Sequence, residues 1–145
     1  MATIRELLAI KGNRVASVHP AATVYEAAMQ MNHHKIGALV VLEEGRLIGM
    51  FTERDILRRV VGERRDAAAT RIAEVMSTEL VVGQMHTTLD EIRSVMKHRR
   101  IRHLPVVDDA GELLGLVSIG DLNAYQANSQ EQTIHLLQEY ITGRV

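Results

Sequence analysis

Two apolar periodicities alternate along the chain. Val24, Ala27, Ala28 and Met31 fall at i, i+3, i+4 and i+7, one face of a helix. Thr23 precedes this stripe and Glu26 stands three residues later, the spacing of a capping box. An apolar run at 38–42, the acidic turn Glu43-Glu44-Gly45 and a second run at 47–51 then read as a β-hairpin. A further helix is predicted from near Asp55, where a carboxylate suits the positive helix N-terminus. The series then returns. Thr88 and Glu91 open a helix whose stripe is Leu89, Ile92 and Met96. Runs at 104–107 and 113–117 flank the turn Asp108-Asp109-Ala110-Gly111, and another helix is predicted near Asp121.

The correspondence holds residue by residue. Thr23-Val24-Tyr25-Glu26 matches Thr88-Leu89-Asp90-Glu91, and Met31, His33 and Ile36 match Met96, His98 and Ile101 at one constant offset. After one extra residue, Ala110, Gly45 and Gly49 match Gly111 and Gly115, and Thr52-Glu53-Arg54-Asp55-Ile56 matches Ser118-Ile119-Gly120-Asp121-Leu122. Ile4-Arg5-Glu6-Leu7-Leu8 is echoed by Ile72-Ala73-Glu74-Val75-Met76. The chain is a tandem duplication. Each copy reads strand, helix, strand, strand, helix, an α+β fold. A unit of ~60 residues is marginal alone, so the two copies are expected to pack as one pseudo-twofold module. By sequence the first copy, with an N-terminal helix and the connection, occupies 1–69, and the second, with a C-terminal helix, occupies 70–145. The stretch 62–69 is charged, then alanine-rich, and reads as a surface connection. Ser129-Gln130-Glu131-Gln132 opens the C-terminal helix, with Ile134, Leu137 and Ile141 on one face. That face can pack on the chain's own core or on a partner subunit.

Composition then removes function classes. The 145 residues are 46% hydrophobic and 24% charged, as in a soluble globular protein. Tyr25, Phe51, Tyr125 and Tyr140 are the aromatics, so the core must be aliphatic. No cysteine is present, which excludes a disulfide framework, a thiol nucleophile and Cys-ligated zinc. The apolar runs are far shorter than the ~18 residues of a membrane span, and no signal peptide is visible, so a cytoplasmic protein is expected. Seventeen basic against eighteen acidic residues give a net charge of −1, no bulk reason to bind nucleic acid or a membrane. The basic run 97–103 has no interleaved aromatic for base stacking and reads as solvated faces plus a phosphate cradle. His33 and His34 are adjacent, ~100° apart on a helix. His98 and His103 lack a carboxylate at a recognisable ligand spacing, so no metal site is expected. No nucleophile elbow, phosphate-binding loop or metal triad is present, and the protein is not expected to be an enzyme.

The remaining chemistry lies where strand meets helix. Gly49-Met50-Phe51-Thr52-Glu53-Arg54-Asp55 and Gly115-Leu116-Val117-Ser118-Ile119-Gly120-Asp121 each place a hydroxyl residue three before an aspartate. Helix capping accounts for either copy alone. A carboxylate beside free backbone N–H groups can also grip the vicinal hydroxyls of a ribose, and the recurrence in both copies adds weight to a paired ligand site.

These features together, with Arg102-His103-Leu104-Pro105-Val106-Val107, resemble a pair of CBS domains over roughly residues 8–66 and 73–130. With no catalytic domain attached, the chain is similar to the small stand-alone bacterial CBS-pair proteins, including the tail 134–143. The resemblance implies an adenosine ligand (AMP, most of all, or ADP, ATP, NAD(H) or S-adenosylmethionine) in clefts between the copies. It implies a regulatory role, a disc-like homodimer and a regulated partner protein. Its rival is a structural homodimerisation domain without a nucleotide. By the family pattern one cleft combines Met50, Thr52, Arg54 and Asp55 with Leu80, Val81, Ile101, Arg102, His103 and Pro105. The other combines Leu116, Ser118 and Asp121 with Lys11, Ala16, Ile36, Gly37 and Ala38. Arg54, Arg102 and His103 are matched there by Gly120, Gly37 and Ala38, which carry no charge. The Asp55 cleft is therefore expected to hold a phosphorylated adenosine more tightly.

Overall fold

The structure, a computed structural model, describes residues 1–127, so the expected helix at 134–141 lies outside the described residues. The first copy contains β1 (Ser17–Val18), α2 (Val24–His34), β2 (Ala38–Glu43), β3 (Arg46–Thr52) and α3 (Glu53–Asp55), preceded by α1 (Ile4–Lys11). Beyond Asp55 the helix widens into a π-helical turn, Ile56–Val61, and stops at Gly62. The second copy contains α5 (Leu89–Arg99), β4 (His103–Val107) and β5 (Leu113–Ser118), preceded by α4 (Ile72–Val75). Its last helix, α6, begins at 119 and is described to 127.

The capping signals act as the sequence indicates. Thr23 accepts from the Glu26 amide and Thr88 from the Glu91 amide, so α2 and α5 start at equivalent residues. Both end in the left-handed region, at Lys35 (φ 55°) and Arg100 (φ 54°). Both hairpins are antiparallel, with Val40 opposite Met50 and Pro105 opposite Leu116. The strand alternation is overridden in β2, where Ala38 to Val41 are all buried, because both faces of the strand are covered.

The two copies differ at the opening strand. In the first, β1 pairs in parallel with β2. In the second, the counterpart shrinks to one parallel bridge, Gly83 to Val106. A Cβ at Gly83 would lie within 3.1 Å of Ile4, Leu104 and Ile92 side chains, so only glycine brings the backbone this close. Leu80 and Val81 precede that bridge without joining a regular strand.

The cores do not follow chain order. Ile4, Leu7 and Leu8 of α1 pack with Leu89, Ile92, Met96, Leu104 and Val117 of the second copy. Ile72 and Val75 of α4 pack with Val24, Met31, Leu39 and Phe51 of the first. Matching backbone bonds seat both helices. Ile4 donates to the Thr87 carbonyl at 2.9 Å, as Ile72 donates to that of Ala22 at 2.9 Å. Each copy thus receives the helix that precedes the other. A third apolar layer, Ala38, Val40 and Met50 against Leu80, Leu113 and Leu116, joins the two sheets.

Candidate functional site

Thr52 caps α3: its Oγ1 accepts from the Asp55 amide at 3.3 Å, and Asp55 Oδ2 accepts from the Thr52 amide at 3.0 Å. Ser118 and Asp121 repeat this box at α6, with distances of 3.0 and 2.8 Å. Both hydroxyl–aspartate pairs are therefore genuine caps. Capping does not exhaust Asp55. Its second oxygen, Oδ1, accepts from Ser77 Oγ at 3.2 Å and lies 3.7 Å from Arg59 Nε. The residue is only 7% exposed, yet it borders open space.

That space is a cleft of about 410 Å³ between the copies. Met50, Thr52, Arg54 and Asp55 line it from the first copy, and Leu80, Val81, Ile101, Arg102, His103 and Pro105 from the second. All ten residues expected of this cleft thus border one cavity. Arg54 Nη1 donates to the Arg100 carbonyl at 3.2 Å and ties α3 to the end of α5. The cleft also includes Gly37, Glu53, Ser77, Glu79, Arg99 and Arg100, which sequence reasoning did not place here. Arg99 and Arg100 belong to the basic run already noted. Ser77 carried a usable signal: it follows Met76, the counterpart of Leu8.

Charge is unevenly spread. Arg54, Arg99, Arg100 and Arg102 face Glu53, Asp55 and Glu79, so the cleft is basic on balance. Burial pushes the His103 pKa down, and the Arg102 and Lys11 charges push it further against Asp121 and Glu53. The imidazole is therefore neutral near pH 7, with one N–H to donate.

Residues expected of the other cleft do not gather in one place: six fall into two groups, and Ala16 and Ala38 lie apart from both. Ile36, Gly37 and Ser118 line a polar groove with Met31, Lys35, Glu53, Arg102, His103 and Gly120. Lys11, Leu116 and Asp121 meet one another: the Lys11 ammonium donates to the Leu116 carbonyl and to Asp121 Oδ2, the latter at 2.5 Å. Burial raises the Asp121 pKa, but the Lys11 and Ser118 hydrogen bonds outweigh it and hold the carboxyl below its ordinary range. Ala16 gives its carbonyl to the Val40 amide, and Ala38 is buried in the inter-sheet layer. Among the described residues no cluster of His, Asp or Glu could hold a metal, and no helix is long and apolar enough to cross a membrane.

Known proteins share this architecture. YhcV of Bacillus subtilis, a CBS domain-containing protein, is 43% identical over 117 residues, 81% of this chain and 82% of its own length. The crystal structure of the CBS-domain containing protein ATU1752 from Agrobacterium tumefaciens superposes with a TM-score of 0.81 at 35% identity, covering 86% of this chain and 99% of that one. The CBS domain pair of protein MJ0100, in complex with 5-methylthioadenosine and S-adenosylmethionine, superposes at 0.78 with 22% identity, covering 89% and 98%. At that identity it speaks for the fold alone. The CBS domain family itself matches residues 4–62 and 72–128, one stretch per copy and each with its leading helix, so the chain belongs to the CBS domain family as a tandem pair.

Proposed function

We propose that the Asp55 cleft binds an adenosine nucleotide and that the chain is a regulatory module, not an enzyme. One observation carries this reading: Asp55 at the head of α3 and Arg102-His103 at the start of β4 border the same cavity from different copies. Asp55 Oδ1 accepts the ribose hydroxyls, Thr52 supports the ribose, and Met50, Leu80, Val81, Ile101 and Pro105 provide aliphatic walls for the base. Arg54, Arg102 and the neutral His103 donate to the phosphate. AMP is the first candidate, with ADP, ATP, NAD(H) and S-adenosylmethionine as alternatives. The MJ0100 pair, which shares the fold, is itself in complex with two adenosine compounds. The seat at Asp121, with Ser118, Leu116, Lys11, Ala16, Ile36, Gly37 and Ala38, is the weaker of the two.

A ligand touching both copies favours one relative arrangement by its differential affinity. In this reading a cytoplasmic partner protein responds to that arrangement. Thermal unfolding with AMP, ADP, ATP, NAD(H) and S-adenosylmethionine tests the reading. A ligand at ~100 times its Kd stabilises by about 2.7 kcal/mol, and Asp55→Ala should abolish the AMP response. Loss of the response in Asp121→Ala but not in Asp55→Ala reverses the assignment. Exposed apolar pairs one turn apart, Tyr25 with Met29 and Leu57 with Val61, favour a second reading, a homodimerisation domain without a nucleotide. No response to any ligand leaves that one.

A further inference from the structure

The two aspartates are equivalent in sequence and in capping geometry, yet different groups sit on them. The difference begins with the exchanged helices. Met76, after α4, packs on Gly49, and Leu8, in α1, packs on Gly115 at the matching place; a Cβ at either glycine would lie within 3.0 Å of that side chain. In the first copy α4 stops at Val75 and the chain turns extended. Ser77 then exchanges backbone hydrogen bonds with Met50 and sets its hydroxyl on Asp55 Oδ1. In the second copy α1 runs on to Lys11 before Gly12 ends it. The extra turn brings the Lys11 ammonium to the Leu116 carbonyl, the counterpart of Met50, and to Asp121 Oδ2.

We infer that Lys11 is the specificity-determining residue between the two seats, a tethered cation that occupies the Asp121 seat and holds it against a ribose diol. This rests on the nucleotide reading of the clefts. A diol binds a carboxylate by donating two hydroxyls to it. At Asp55 it meets Oδ2, engaged by the cap, and Oδ1, whose one hydrogen bond comes from the neutral Ser77 hydroxyl, which can turn away. Arg59 stands 3.7 Å from Oδ1, beyond hydrogen-bond reach, and donates instead to the Val75 and Met76 carbonyls. At Asp121 the cap amide and the Lys11 ammonium both sit on Oδ2, so a diol that spans the two carboxylate oxygens must displace a charge-assisted hydrogen bond, the stronger kind, from a side chain already anchored on a helix. The ion pair is only part exposed, at 31% for Lys11 and 24% for Asp121, which limits its screening by water. The duplication thus keeps two seats and leaves one open, and the choice is made by the length of a leading helix.

Calorimetric titration of the full chain with AMP, and in parallel with ATP and S-adenosylmethionine, reads the stoichiometry. Wild type should take one AMP per chain, lost in Asp55→Ala. Lys11→Met keeps the apolar stem and removes the ammonium, and should expose a second seat bound about tenfold more tightly than in wild type, a difference of ~1.4 kcal/mol. Adding Asp121→Ala to Lys11→Met should close that seat again. Lys11→Arg preserves the ion pair and should stay at one. The inference is overturned if wild type fills two seats of equal affinity, or if Lys11→Met remains at one AMP while Asp55→Ala still abolishes binding. The second of these leaves the nucleotide reading intact. Absence of binding by both wild type and Lys11→Met removes that reading and the inference with it.

Discussion

At the scale of single residues, His103 shows how neighbours set chemistry that its identity does not. Its imidazole is pressed by burial, Arg102 and Lys11 toward the neutral form, so its pKa in the folded chain lies below the ordinary value near 6.5. The unfolded chain therefore takes up a proton first as the pH falls. With more protons bound in the unfolded state, stability rises with pH, and the folded state loses ground on acidification from about pH 7 through 6.5. Asp121, held low by Lys11, adds to the loss only at lower pH, where its own carboxylate protonates. Urea unfolding followed by circular dichroism at pH 7.5 and 5.5 should show wild type weaker at 5.5. His103→Gln, neutral throughout, should show a smaller difference; an unchanged difference would refute this account of His103. The aspartates of the site were legible in the sequence because capping and repetition mark them. Of what rests on them, the family pattern already grouped Lys11 with Asp121, whereas Ser77 on Asp55 was not placed, since it lies outside the repeated motif.

At the scale of elements, the hydrophobic pattern showed which face each helix buries but not what it buries that face against. Ile4, Leu7 and Leu8 make the same stripe whether α1 covers its own copy or the other. The exchange is decided by backbone bonds that join Ala2 and Ile4 to the start of α5 and the residues before it, including Leu89 N–H to the Ala2 carbonyl at 3.0 Å. The shortened opening strand was illegible for a similar reason: Val81-Val82 has strand propensity, but the pairing is confined to Gly83, which alone fits between Ile4 and Leu104. Both helices can be tested by truncation. Ile4 and Ile72 are each fully buried, so either substitution to alanine should cost roughly 2–5 kcal/mol of transfer and cavity energy. Hydrogen exchange locates the damage. Ile4→Ala should loosen β4 and β5, in the far part of the sequence, and Ile72→Ala should loosen β2 and β3. Faster exchange confined to β2 and β3 in Ile4→Ala would contradict the exchanged packing.

The whole molecule follows from that exchange together with the shared layer of Ala38, Val40, Met50, Leu80, Leu113 and Leu116. Removing either copy strips the other of one leading helix and one wall. A unit of ~60 residues buries too little surface to compensate for such a loss, so stability is expected to belong to the pair. Split by sequence, 1–69 and 70–145 should each lack a cooperative transition when produced alone: the first lacks Ile72 and Val75 from its core, and the second lacks Ile4, Leu7 and Leu8. Mixed together, the pieces should recover the circular dichroism and a single transition, because every exchanged contact is again available. A piece that unfolds cooperatively by itself would show that its copy is a separate folding unit, and the helices mere additions. The same experiment bears on signalling. If neither half folds without the other, a ligand between them acts on the only folding unit there is, and its binding energy is transmitted through a cleft whose two walls cannot move independently of the helices they have traded.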